Sequence, residues 1–272
     1  MGWKQLEIKL KKGSSSDPVR MVPFVTVGFP DVEATLELVP ALERAGASVI
    51  ELGIPFSDPL AEGPTIQKSS FHALNQGVTL AKCLEIVTEL RGRGVRVPLV
   101  LMGYYNPFLA FGLVAVAAAA QKSGVDGFII PDLPVDEIGP MLAACQRHGI
   151  ALIPLLAPTS TDDRIKEACA FAHGFIYCVG LLGVTGARAE PSPEAAMLVQ
   201  RVRKITSLPL AVGFGISRRE HVEALADSVD AVVVGSALVD VIADASPIDR
   251  ITKVEAFMEG LGVTPKKTGG TR

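Results

Sequence analysis

Short apolar runs rich in β-branched residues recur along the chain, and each is followed by a segment with apolar positions at helical spacing. The runs predict strands over 21–27, 48–52, 97–102, 127–130, 151–154, 175–179, 210–212 and 231–234. Between them the spacing predicts helices over 31–45, 79–91, 113–122, 135–147, 162–171, 194–205 and 218–226. Amphipathic segments at 3–12 and 249–259 flank this series, and a short helix opens at Gly235. Asp31 and Thr79 stand where helix N-caps are expected, and Gly46 stands where a helix should stop. Two long loops interrupt the rhythm. One follows the second strand, where Pro55, Pro59, Gly63 and Pro64 forbid regular structure until a short helix begins; the other covers 180–193.

Strands that alternate with helices pair in parallel through βαβ crossovers. Eight such units in 272 residues predict an α/β fold, a closed (β/α)8 TIM barrel, with 1–272 as a single domain. A short helix is expected ahead of it and a disordered tail from about 264. A doubly wound open sheet is the alternative; the missing G-x-G-x-x-G after the first strand weighs against it.

Composition removes several function classes. The chain is 49% hydrophobic and 20% charged, with a formal net charge of −3. That balance, with no basic stripe, argues against a nucleic-acid partner, and the cluster Lys9, Lys11 and Lys12 reads as a solvated helix face. No apolar run reaches the roughly 18 residues of a membrane span. The first residues lack a signal peptide's apolar core and the Ser or Thr of a myristoylation signal. Cys83, Cys145, Cys169 and Cys178 form neither a zinc pattern nor a disulfide framework, which fits a reducing cytoplasm.

In a barrel the chemistry sits at the carboxyl ends of the strands. Glu51 lies there, where an apolar strand hands over to the first long loop, and that loop also carries Asp58 and Glu62. A carboxylate so placed must be solvated, paired or neutralised. Gly213 and Gly215 follow the seventh strand, and Gly235 and Ser236 follow the eighth. Glycines there let backbone N–H groups approach an anion, and the helix opened by Gly235 points its dipole at it. None of His72, His148, His173 and His221 falls at a strand's carboxyl end, and no lysine does. A Ser-His or Cys-His nucleophile, a histidine metal site and a Schiff-base lysine therefore have no candidates. Glu51, Glu62, Asp132 and Tyr177 remain for acid–base work. The residues alone point to a lyase or isomerase without cofactor or metal, acting on a small phosphate ester.

The motifs V-P-F-V-T-V-G-F-P, E-L-G-I-P-F-S-D-P-L-A-E-G-P-T-I-Q, Y-N-P, P-D-L-P, G-V-T-G, G-F-G-I-S and G-S-A, in register over about 23–239, resemble the tryptophan synthase α-subunit family. The resemblance implies a (β/α)8 barrel that cleaves indole-3-glycerol phosphate to indole and glyceraldehyde 3-phosphate. It implies no cofactor in this chain, and a pyridoxal-phosphate β subunit as partner in an α2β2 assembly that receives the indole. It places proton transfer on Glu51, and on Glu62 the second acid, where the family has Asp. Thr185 would contact that acid on loop closure. Phe24, Tyr177 and Phe214 would line the indole pocket; Gly186, Gly213, Gly215, Gly235 and Ser236 would hold the phosphate. Asp58, Asn106 and Pro107 would meet the β subunit. The chain departs from the family at Glu62 and at Gly180-Leu181-Leu182, where the family has a Ser or Thr and often an Arg. A free-standing lyase that releases indole stays open as an alternative because such relatives share the same motifs, and the departures keep open a catalytically weak activator of a β subunit.

Overall fold

A computed structural model describes residues 2–14, 17–180, 193–213 and 215–262. The first part of the chain runs α1 (Trp3–Leu10), β1 (Arg20–Thr26), α2 (Val32–Arg44), β2 (Ile50–Gly53), α3 (Pro64–Asn75), α4 (Leu80–Gly92) and β3 (Leu99–Met102). The middle adds α5 (Tyr105–Phe111), α6 (Leu113–Ser123), β4 (Gly127–Ile129), α7 (Gly139–His148), β5 (Ala151–Ile153), β6 (Leu155–Leu156), α8 (Asp162–Phe171) and β7 (Ile176–Val179). The last part holds α9 (Pro193–Arg203), β8 (Leu210–Gly213), α10 (Arg219–Leu225), β9 (Ala231–Val234), α11 (Ser236–Asp244) and α12 (Arg250–Gly260).

All strand pairs are parallel, in the order β5-β4-β3-β2-β1-β9-β8-β7-β6. The sheet is a barrel and not the open sheet, because its two ends, β5 and β6, are one stretch of chain. Pro154 parts them: it has no N–H for the ladder, but its carbonyl accepts the Tyr177 N–H at 3.1 Å. Ala151 pairs with Gly127 on one side and Leu155 with Tyr177 on the other, so chain continuity through Pro154 closes the ring. The fifth expected strand is thus two short segments.

The predicted caps form as local chemistry requires. The Asp31 side chain accepts the Ala34 N–H at 2.7 Å and Thr79 accepts the Lys82 N–H at 3.3 Å. Two elements differ from the pattern. The helix expected from 135 begins at Gly139, after a single 3-10 turn at Val135–Glu137. Asn106-Pro107, outside every predicted helix, lies in the first turn of α5, a position where proline's missing N–H costs nothing.

The barrel interior is closed at the strands' amino ends. Val22, Val49, Val100, Ile129, Phe175, Ala211 and Ala231 pack there with Leu6 and Leu10 of α1, both fully buried. Two aspartates hold this end by one repeated device. Asp126 accepts the Leu99 N–H at 3.0 Å and pairs with Arg91 at 2.8 Å; Asp230 accepts the Leu210 N–H at 2.9 Å and pairs with Arg203. Each also accepts a backbone N–H beside α1, from Gly2 at 2.8 Å and from Lys12 at 3.4 Å. With that end plugged and strapped, the carboxyl ends are left to carry the cavity.

Candidate active site

Glu51 is the second residue of β2. Its neighbours Ile50 and Leu52 face the helices in the outer core, so strand alternation turns Glu51 inward, in register with Phe24 and Val100. It is 1% exposed, and its Oε2 has no hydrogen-bond partner among the described residues. Burial, with the charge of Glu62 adding to it, pushes the carboxyl from the ordinary 4.5 up to about 8. At neutral pH Glu51 therefore carries a proton in the free protein. Glu62, half-buried in the loop between β2 and α3, is pushed by burial up to about 7. The Tyr177 phenol rises well above its usual range through burial and the two glutamates.

These three side chains border one cavity of about 560 Å³, the size of a small-molecule site. Phe24, Ile66, Met102 and Leu155 supply its apolar wall. Two close approaches shape it. A Cβ on Gly53 would overlap the Phe24 ring, and one on Gly213 would overlap the Tyr177 hydroxyl. Gly213 thus ends β8 as the surface that Tyr177 lies against.

The far wall is Gly215, Ser217, Gly235, Ser236 and Ala237. Gly235 precedes α11 with no side-chain cap, so the first N–H groups of that helix are open to the cavity. A Cβ on Gly235 would come no nearer than 3.6 Å to any protein atom, so packing does not demand glycine there. The space it leaves faces the cavity. Asp240, one turn further on, also borders the cavity and accepts the Thr65 hydroxyl at 3.1 Å.

Of the other sequence candidates, Asp132 is exposed and spends its Oδ1 on the Tyr105 N–H at 2.8 Å, capping α5 instead of joining the glutamates. Asp58 and Asn106 are exposed and Pro107 is half-buried, on the loop after β2 and on α5. Thr185, Gly186 and Phe214, with Leu181 and Leu182, lie outside the described residues. Sequence reasoning missed Tyr104, whose hydroxyl accepts the Ala61 N–H at 2.8 Å beside Glu62. Its signal was its place just past the end of the third strand. Among the described residues no cluster of three His, Cys, Asp or Glu could hold a metal, and no helix is long and apolar enough to cross a membrane.

A closed barrel that sets a buried and a half-buried carboxylic acid opposite an uncapped helix end is the design of an acid–base enzyme for a small phosphorylated substrate. Residues 10–264 match the tryptophan synthase alpha chain family, and the chain belongs to it. It is 49% identical to the tryptophan synthase alpha chain of Chloroflexus aggregans over 91% of this chain and 92% of that one. A Roseiflexus relative is also 49% identical, over 89% and 92%. Among solved structures, the tryptophan synthase complex of Pyrococcus furiosus superposes with a TM-score of 0.81 at 39% identity, covering 89% of this chain and 97% of that chain. The alpha subunit of Legionella pneumophila gives 0.85 at 32% identity, covering 94% and 96%.

Proposed function

We propose that this chain is the lyase subunit of a tryptophan synthase, cleaving indole-3-glycerol phosphate to indole and glyceraldehyde 3-phosphate. The observation that carries the reading is the buried Glu51, its Oε2 without a hydrogen-bond partner among the described residues, bordering with Glu62 and Tyr177 a cavity whose opposite wall is the open end of α11. The phosphate would take the N–H groups after Gly235, with Gly215 and Ser236 beside it, and would leave the indole against Phe24 and Tyr177. Gly213, Phe214, Gly186 and Thr185 belong to the same reading on the family resemblance.

The chemistry then follows from the protonation states. Glu51 gives its proton to the ring carbon that bears the glycerol chain. Positive charge develops on the ring, and the Glu62 carboxylate accepts a hydrogen bond from the indole N–H and offsets it. Glu51, now a carboxylate, takes the proton of the adjacent glycerol hydroxyl. The carbon–carbon bond breaks as that hydroxyl becomes the aldehyde, and its electrons restore the indole. Protons and charge balance with Glu51 returned to its starting form. No step calls for a cofactor in this chain.

The reading includes a β subunit with pyridoxal phosphate, which takes up the indole, in an α2β2 assembly. The solved Pyrococcus furiosus α2β2 complex, whose subunits activate one another, supports that partner. Asp58, Asn106 and Pro107 are the proposed contact face. The reading also takes 1–272 as one domain and a cytoplasmic site of action, which four free thiols fit. Steady-state cleavage of indole-3-glycerol phosphate by the purified chain, alone and with a β subunit, tests it. Cleavage stimulated by the β subunit is expected. Equal rates with and without it mean a free-standing lyase, and no cleavage in either case leaves only an activator.

A further inference from the structure

We propose that Tyr104 is a positioning residue for Glu62, holding the loop between β2 and α3 so that this acid points into the cavity. The inference rests on the reading of Glu62 as the second acid. Tyr104 sits just beyond β3 at the residue preceding α5, and it is 7% exposed. Its ring stacks on Phe56, with centroids 5.1 Å apart and planes at 21°. Its hydroxyl oxygen accepts the Ala61 N–H at 2.8 Å. One side chain thus grips the loop at two points, on either side of the exposed residues Ser57, Asp58 and Leu60.

The rest of the loop is tied so that the second grip holds the backbone one residue before Glu62. Phe56 is fixed from below, because the Ser70 hydroxyl takes its N–H at 2.8 Å and gives to its carbonyl at 3.1 Å. On the other side of Glu62, the Glu62 carbonyl accepts from the Gln67 amide at 2.8 Å. Tyr104 therefore holds the Leu60–Ala61 peptide, one residue before Glu62; the Glu62 N–H goes to the Pro59 carbonyl at 3.0 Å, and Gln67 holds the peptide leaving Glu62. Tyr104 and Glu62 also border one narrow crevice beside the cavity. Burial and the charge of Glu62 raise the phenol to about 12, so it keeps its proton at working pH and lies within electrostatic reach of that carboxylate. A glutamate has one more rotatable bond than an aspartate and more conformers to lose. A misplacement of about 1 Å can cost on the order of 10²-fold in rate, so the fixed backbone at Ala61 confines a longer arm.

Tyr104→Phe keeps the stacking ring and deletes only the acceptor. The expected result is a kcat for cleavage lower by about tenfold, the scale of one hydrogen bond, with KM changed less than about twofold. Amide exchange at Ala61 should quicken while the melting temperature stays close to the parent's. In a Glu62→Gln background the Tyr104→Phe change should add less than about twofold, because its effect acts through the carboxylate. Losses that multiply in the double variant would show that Tyr104 acts independently of Glu62 and overturn the inference. A parental kcat for Tyr104→Phe, with Glu62→Gln strongly impaired, overturns it while leaving the role of Glu62 standing. A parental rate for Glu62→Gln removes that role and the inference together.

Discussion

At the scale of single residues, Glu51 shows what a buried acid contributes and what it costs. The folded protein holds the Glu51 proton up to about pH 8, whereas the ordinary carboxyl value is 4.5. Between those values the folded state keeps a proton that the unfolded chain has released, so stability falls as pH rises through the window. The slope is about 1.4 kcal/mol for each pH unit inside it. Glutamine at this site has no such dependence. We therefore expect Glu51→Gln to lower cleavage by roughly 10²–10⁴, the contribution of general acid–base catalysis. The same variant should melt higher than the parent, by a margin that widens from pH 5 to pH 9. Thermal unfolding at the two pH values checks this, and an equal margin at both would mean that Glu51 ionises normally in the fold. Loss of activity together with a gain in stability is the pattern of a functional group held against its solvation preference.

At the scale of elements, the strand–helix unit β9–α11 carries the anion site. Its ingredients are local: a buried strand, a glycine with no side chain to cap the helix, and N–H groups left open by the first helical turn. Inorganic phosphate or sulfate is expected to compete with substrate there. Gly235→Ala meets Ile66 and Phe24, both at ordinary contact distance, so the protein atoms leave room for the methyl. The methyl stands where the anion would approach. That variant should weaken phosphate inhibition and raise KM by about tenfold, within the range of a helix-terminus interaction, with kcat little changed. Inhibition constants measured for phosphate on parent and variant decide it, and identical constants would place the anion elsewhere. Helix α5 makes a different point. Its first N–H is capped by Asp132, from the loop after the next strand, so the helix depends on a contact that its own segment does not contain.

At the scale of the molecule, the barrel is asymmetric end to end. Helix α1 plugs the amino ends of the strands, and the carboxyl ends hold the cavity and an exposed apolar rim. Leu60 is 91% exposed and Leu109 is 49% exposed, beside Asp58 and Asn106 on the same loop and helix. Exposed apolar residues around functional loops mark an interaction surface. We expect Leu109→Glu to abolish co-elution with a β subunit and the stimulation that goes with it. As a surface change it should leave the melting temperature of the isolated chain within about 2 °C. Size-exclusion of the mixed subunits gives the answer, and unchanged co-elution would move the contact face away from α5.

The sequence by itself determined the order of elements, because strand alternation, helical period and caps are read within a few residues. Asp31 and Thr79 cap where they were expected, and all eight strand positions are occupied by strands. It also put Glu51 in the second strand, although that strand runs two residues beyond it to Gly53, and determined that Gly235 opens a helix. What required the tertiary structure depends on residues far apart in the chain. Ring closure at Pro154 joins the first half of the sheet to the second, and no local pattern records it. Asn106-Pro107 lies in a helix whose first N–H is taken by Asp132, a residue from beyond the next strand. Asp132 and Glu62 are both acids in exit loops, and packing alone separated the capping residue from the cavity residue. Gly213 is small because a ring 36 residues earlier, Tyr177, lies on it. The proton on Glu51 is the clearest case. Sequence supplies the carboxyl group, but its affinity for a proton comes from lost water and from Glu62, both set by how the barrel closes around them.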